Sequence, residues 1–283
     1  MTRPLKSAAI ILAHARDSGA AGPARMIRGG AATTLAALLL AVLAACSPGD
    51  PPGTELDGQY EDLVELFREW REFEAPAFVN GVPDYSEGSM ALQHAMLPAM
   101  RARLDALNHE NWPVSRQIDW HLVRAEMNGL DFDHRVRRPW ARDPAFYVMI
   151  HAAQSDVPAH EGAVVHGWID LWTYEYPLSP EDAQELAGRI GAIPGVLEQA
   201  RTNLTGEAHD LWVAGLRSYR AQSRDLATLA ERVAGTSEAL DAAITAAGAA
   251  TDEFHDWLEG EAGLRRAPSG IGRDNYTWYM RNV

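Results

Sequence analysis

The sequence has a single cysteine, Cys46, and a single lysine, Lys6. One thiol excludes an internal disulfide and any multi-cysteine zinc site. There is no Gly-x-Ser-x-Gly nucleophile elbow and no phosphate-binding loop. Gly270-Ile271-Gly272 is followed by Asn275 and does not complete a dinucleotide fingerprint. Alternating apolar and polar residues, the sign of a half-buried strand, form no run; a short hairpin is the one β element left open. Positive charge is also scarce. The 25 basic against 39 acidic side chains leave a net charge of −14. Five of the basic residues and one aspartate fall in the first 45 positions, so the remainder carries 20 against 38, or −18. Such a surface repels nucleic acid and anionic membranes, so no nucleic-acid partner is expected.

The lone cysteine has a local explanation. Arg25-Met26-Ile27-Arg28 is a short basic stretch, followed by Ala31 to Ala45 without a charge and ending in Leu43-Ala44-Ala45-Cys46. That ending resembles a bacterial lipobox, cleaved between Ala45 and Cys46 so that Cys46 carries the lipid. About 15 apolar residues are too few for a spanning helix and suit a signal region. A transmembrane anchor or a chance Ala/Leu run is the competing reading. Ser47-Pro48-Gly49-Asp50-Pro51-Pro52-Gly53 then reads as a tether. The expected organisation is an over-called start over 1–25, a lipoprotein signal over 26–45, a linker over 46–55 and a helical domain over 56–283. Ser47 after the cysteine resembles lipoproteins sent on to the outer membrane, which implies a lipid-anchored protein of the cell envelope facing the periplasm.

From about Glu55 the apolar spacing turns helical. Leu63, Leu66, Phe67 and Trp70 mark a first helix, interrupted at Gly81-Val82-Pro83-Asp84. Ser86 or Ser89 caps a second helix through Leu104, which Pro98 should kink. A third starts at Pro113, favoured at the first helical position, and runs past Leu130. Arg137 to Pro144 reads as a broken segment. Residues 148–153 and 163–174 each read as helical, with Trp168, Trp172, Tyr174 and Tyr176 as core. Ser179-Pro180-Glu181-Asp182 opens a helix to Asn203 that Gly191 and Pro194 should bend. Two long helices follow, separated by Gly235-Thr236-Ser237, and a last begins at Asp274. The fold class is all-α, a multi-helix array.

A zinc peptidase helix carries His-Glu-x-x-His, because residues four apart share a face and let two imidazoles bind one metal beside a carboxylate base. His109-Glu110 meets Pro113 at the decisive place and His160-Glu161 meets Val164, so neither completes the motif. His160 and His166 are six apart, on opposite faces of a helix. Asp131-Phe132-Asp133-His134 is the densest set of potential ligands, with Asp131 and His134 three apart on one face. The competing reading is a solvated helix end engaging Arg135, Arg137 and Arg138. His121, beside Trp120, reads as a core or groove residue. No catalytic residue is assigned.

Several segments in order resemble the bacterial domain-of-unknown-function 885 family. They are Asp119-Trp120-His121-Leu122-Val123-Arg124-Ala125-Glu126-Met127-Asn128-Gly129-Leu130, Arg138-Pro139-Trp140 with Pro144-Ala145-Phe146-Tyr147, Ile193-Pro194 to Asn203-Leu204, and Ile271-Gly272-Arg273-Asp274-Asn275-Tyr276. That family is similar to helical zinc peptidases, with a His-Glu-x-x-x-Pro-Gly-His-type signature in its C-terminal half. The resemblance implies that this chain is the N-terminal half of a helical clamshell, one wall of a substrate cleft. Val283 comes before that signature, so zinc is expected only with a C-terminal half, and no cofactor is expected in this chain. The implied partners are a membrane through the lipid, a peptide substrate and a chain supplying the C-terminal half. The expected function is a cleft wall inactive alone. A binding lipoprotein without catalysis, one subunit of a split metallopeptidase, and a metalloenzyme built on Asp131 and His134 stand beside it.

Overall fold

The computed structural model describes residues 58–154 and 164–283. Ala45, Cys46, the signal and linker segments and the His160-Glu161 pair lie outside them. Among the described residues no helix is long and apolar enough to cross a membrane.

Helices α1 (Gly58–Glu74), α2 (Glu87–Asp105) and α3 (Val114–Phe132) share one core. Three-and-four spacing gathers Leu63, Leu66 and Trp70 against Leu97, Leu104, Trp120, Val123 and Met127. Trp120 Nε1 donates to the carbonyl of Leu104 at 3.0 Å, fixing α3 against the end of α2. Ser86 is the residue that caps α2, its Oγ accepting from the Ser89 amide at 3.4 Å. Pro98 lies inside α2, which continues on both sides of it. Pro113 stands one residue before the first turn of α3, with φ −54° and ψ 146°, rather than in it.

Between α1 and α2, β1 (Phe78–Val79) and β2 (Val82–Pro83) pair antiparallel. Asn80 and Gly81 both take positive φ, +52° and +82°, which a tight hairpin turn needs. After α3 the backbone widens into a π turn (Asp133–Arg137) and passes through left-handed Arg138 at φ +45°. It then tightens through the short α4 (Pro139–Arg142) and the 3-10 turn Pro144–Tyr147. This is the broken stretch the two prolines predict.

The helices expected over 148–153 and 163–174 are absent from the described parts of both stretches. Instead β3 (Ile150–His151) pairs parallel with β4 (Ile169–Asp170), and Leu171–Thr173 is a 3-10 turn. His166 therefore does not lie on a helix. The cause is a partner from elsewhere in the chain. Buried Gln222 accepts from the amides of Met149 and Ile150 at 2.8 and 3.2 Å, so those donors are taken by a side chain rather than by a helix. Of the nearby aromatics, Tyr174 and Tyr176 pack half-buried against the core and Trp168 is half-buried. Trp172 is 41% exposed, while Val165, Ile169, Leu171 and Leu178 face inward.

The expected bent helix is two, α5 (Pro180–Ile190) and α6 (Ile193–Asn203), divided at Gly191 and Ala192. Ser179 caps α5 by accepting from the Asp182 amide at 3.0 Å. The long helices α7 (His209–Val233) and α8 (Glu238–Ala262) pack together, joining Trp212, Tyr219, Leu226 and Val233 to Leu240, Phe254 and Leu258 in a second, larger core. Finally α9 (Arg273–Asn282) lies on the end of α3, Trp278 stacking on Phe132 with centroids 5.4 Å apart.

Candidate functional site

The C-terminal end of α3 gathers polar groups from three helices. Asp131 does not meet His134 as the three-residue spacing suggests. Its Oδ1 accepts from His94 Nε2 on α2 at 3.1 Å, and its Oδ2 from Arg135 at 2.7 Å, with Arg101 3.6 Å away. Burial works against the charge, yet Arg135, His94 and Arg101 together hold the carboxyl below its usual range. His134 Nε2 donates instead to Gln93 Oε1 at 2.9 Å, and the Gln93 amide nitrogen donates to the carbonyls of Phe73 and Glu74. Burial and the neighbouring His94 push His134 down to about 4, so it is neutral at neutral pH. Asp133, on the next turn, is paired with Arg137 at 2.6 Å. Its burial raises it to about 6 despite that partner.

Zinc does not fit this cluster. It needs three or four nitrogen, sulfur or carboxylate donors converging at about 2.0–2.3 Å. The His94 and His134 rings are stacked, 4.8 Å apart and 8° from parallel, so their in-plane nitrogens run side by side instead of converging. Both Nε2 atoms already have partners, and Asp131 is saturated by cations. Among the described residues no group of three or more His, Cys, Asp or Glu could hold a metal ion. The Asp131–His134 stretch is an ion-paired helix end, with Asp131–Arg135 and Asp133–Arg137 both four residues apart.

From Asp131 the polar contacts continue outward. Arg101 donates to Asn128 Oδ1 at 2.9 Å, and Asn128 Nδ2 donates to the carbonyl of Asn282 on α9 at 2.9 Å. Beyond them α3 and α9 form an open depression of about 470 Å³ whose lining includes His121, Arg124, Asn128, Met280, Arg281 and Val283. His121 is exposed there, not in a core, with its ring edge-on to Trp120. Trp120 in turn lies flat on His109 at 3.7 Å, and the Arg124 guanidinium sits 5.2 Å over the Trp120 ring. Along α3 an apolar column continues from this depression: Leu122, Ile118 and Val114, exposed by 46%, 52% and 73%.

The family model described as "Bacterial protein of unknown function (DUF885)" matches residues 77–283. The chain belongs to that family. The DUF885 match takes in every element from β1 to α9 and begins after α1. A solved structure, that of a candidate lipoprotein of unknown function from Shewanella oneidensis, is similar at 16% identity and a TM-score of 0.44. The alignment covers 74% of the present chain and 37% of that one. No curated protein matches.

Sequence reasoning named Asp131, His134 and His121 and missed Gln93, His94, Arg101 and Arg281. The missed residues lie on α2 and α9, far from α3 in sequence. His94 was the one with a local signal, an imidazole four residues after Met90 and three before Leu97, on the helix face those two bury.

Proposed function

We propose that this DUF885 chain is a lipid-anchored, envelope-facing helical domain. Its residues 56–283 form one wall of a peptide-binding cleft in a zinc-peptidase-like protein, and it binds peptide without hydrolysing it alone. The observation that carries the reading is the face of α3. There Val114, Ile118 and Leu122 stand exposed at four-residue steps and lead into the depression beside α9. A column of apolar side chains ending at polar groups is the form that peptide grooves take. The stacked, already partnered imidazoles of His94 and His134 support the non-catalytic part, since neither presents a free Nε2 nitrogen to a metal.

The test uses the full chain purified in detergent. Titration with a leucine-rich hexapeptide should show binding, which Ile118→Ser with Leu122→Ser weakens several-fold. Mass spectrometry should find no stoichiometric zinc, and the hexapeptide should remain intact. Stoichiometric zinc together with cleavage overturns the reading. Adding a polypeptide that carries the His-Glu signature tests the split-enzyme form, in which cleavage appears only with both chains.

A further inference from the structure

We propose that the β1–β2 hairpin is a second membrane contact, its apolar tip entering the bilayer to which the lipid holds the chain. The inference rests on the lipid-anchored reading and names the surface that meets the membrane. In a chain with a net charge of −14, the nine residues from Ala75 to Pro83 carry no charge. No carboxylate has to be desolvated when this stretch leaves water. Ala77 to Gly81 are all exposed, and Phe78 and Val79 turn 51% and 60% of their surface to solvent. The tip is held in place. Phe78 is paired with Pro83 and Val79 with Val82, and the Asp84 amide donates to the Ala77 carbonyl at 2.8 Å, closing the base. The hairpin also sits on glycines that leave room for it. A Cβ on Gly195 of α6 would lie 2.7 Å from Val82 Cγ2, and one on Gly167 would lie 3.5 Å from Phe78 Cε1. A turn fixed in this way loses little conformational freedom when its apolar side chains enter the headgroup–acyl boundary.

A protein partner needs far more surface than two side chains offer, whereas a bilayer demands no complementary shape. The chain length before α1 allows the contact. Eleven residues separate Cys46 from Gly58, where α1 begins. Fully extended they reach at most about 40 Å. The 17 residues of α1 span roughly 25 Å, so a lipid on Cys46 does not keep the hairpin, at the other end of α1, from the bilayer. Two side chains are too few to hold the chain on a membrane by themselves. With the lipid in place, the tether supplies the effective concentration at which so weak a contact is populated.

The acylated full chain in phosphatidylcholine vesicles tests this, with an environment-sensitive fluorophore attached to Val79→Cys. Cys46 is the single native cysteine, and with its sulfur in the lipid linkage the introduced thiol is the one that labels. The label should brighten several-fold on protein that floats with the vesicles, and lipid spin-labelled near its headgroup should quench it. The same label on Thr228→Cys, at an exposed position of α7, should stay at its aqueous level. Phe78→Ser should remove most of the brightening and leave both flotation and the unfolding midpoint unchanged. Floating protein whose label at Val79→Cys is as dim and unquenched as that at Thr228→Cys overturns the hairpin inference and leaves the anchor standing. Brightening that needs no vesicles marks a protein contact and overturns it likewise. Protein that fails to float overturns both.

Discussion

Gln222 is one of two buried polar side chains among the described residues, the other being its partner Thr251. Its carbonyl serves two backbone amides and its amide nitrogen donates to Thr251 Oγ1 at 3.1 Å. Gln222→Leu keeps the volume but leaves both amides without an acceptor in the core. A loss of about 2–4 kcal/mol in chemical denaturation is expected, given the penalty for each unsatisfied buried donor. Acid should act through the imidazoles. Burial lowers His166 to about 4, and its Nδ1 accepts from the Tyr85 hydroxyl at 2.7 Å. The unfolded chain takes up this proton near pH 6.5 while the folded chain refuses it. Stability is therefore present above 6.5 and drains away as pH falls toward 4, by about 3 kcal/mol for a group shifted this far. His134 acts in the same direction. Asp133, raised to about 6, acts in the opposite one, because its folded form gains the proton first. Glu74, Asp143 and Asp225, also raised by burial, act in the same sense as Asp133, so the imidazole contribution is read by difference: between pH 6.5 and 4.5 the Tm of the wild type should change more unfavourably with falling pH than that of His166→Gln. Parallel profiles of the two proteins would contradict this.

At the scale of elements, α7 approaches Pro144 and α8 closely at Gly215. A Cβ there would lie 2.8 Å from Pro144 Cβ and 3.2 Å from Leu258 Cδ2. Gly215→Ala is expected to destabilise by about 1–3 kcal/mol, despite alanine's better helix propensity, and the Tm reports it. The helices themselves were legible because their signals are local. Ser179 and Ser237 stand where caps belong, and the three-and-four spacing through Tyr219, Gln222 and Leu226 marks a buried face. The β3–β4 pair was illegible because its backbone donors answer to Gln222, more than 70 residues away. The same limit hid the site. Asp131 and His134 carry their own types in the sequence, but the partners that decide their chemistry, His94 and Gln93, sit on another helix. Spacing along α3 could place the two residues on one face and could not tell a metal site from an ion-paired end.

For the whole molecule, the lipobox reading makes attachment depend on one sulfur. Cys46→Ala should move the protein from the membrane to the soluble fraction on centrifugation, and retention in the membrane would refute the anchor. The exposed column on α3 has its own consequence at this scale. Contiguous apolar surface favours self-association, so sedimentation of wild type should show concentration-dependent oligomers that Ile118→Ser with Leu122→Ser reduces. Surface substitutions of this kind should change the Tm little.

The bridge from Asp131 through Arg101 and Asn128 to the Asn282 carbonyl joins a titrating carboxyl to the floor of the depression. A ligand that draws Asn128 or α9 toward itself therefore changes how firmly Arg101 is held beside that carboxyl. By thermodynamic linkage, the factor by which such a ligand alters the proton affinity of Asp131 is the factor by which that proton alters the ligand's own affinity.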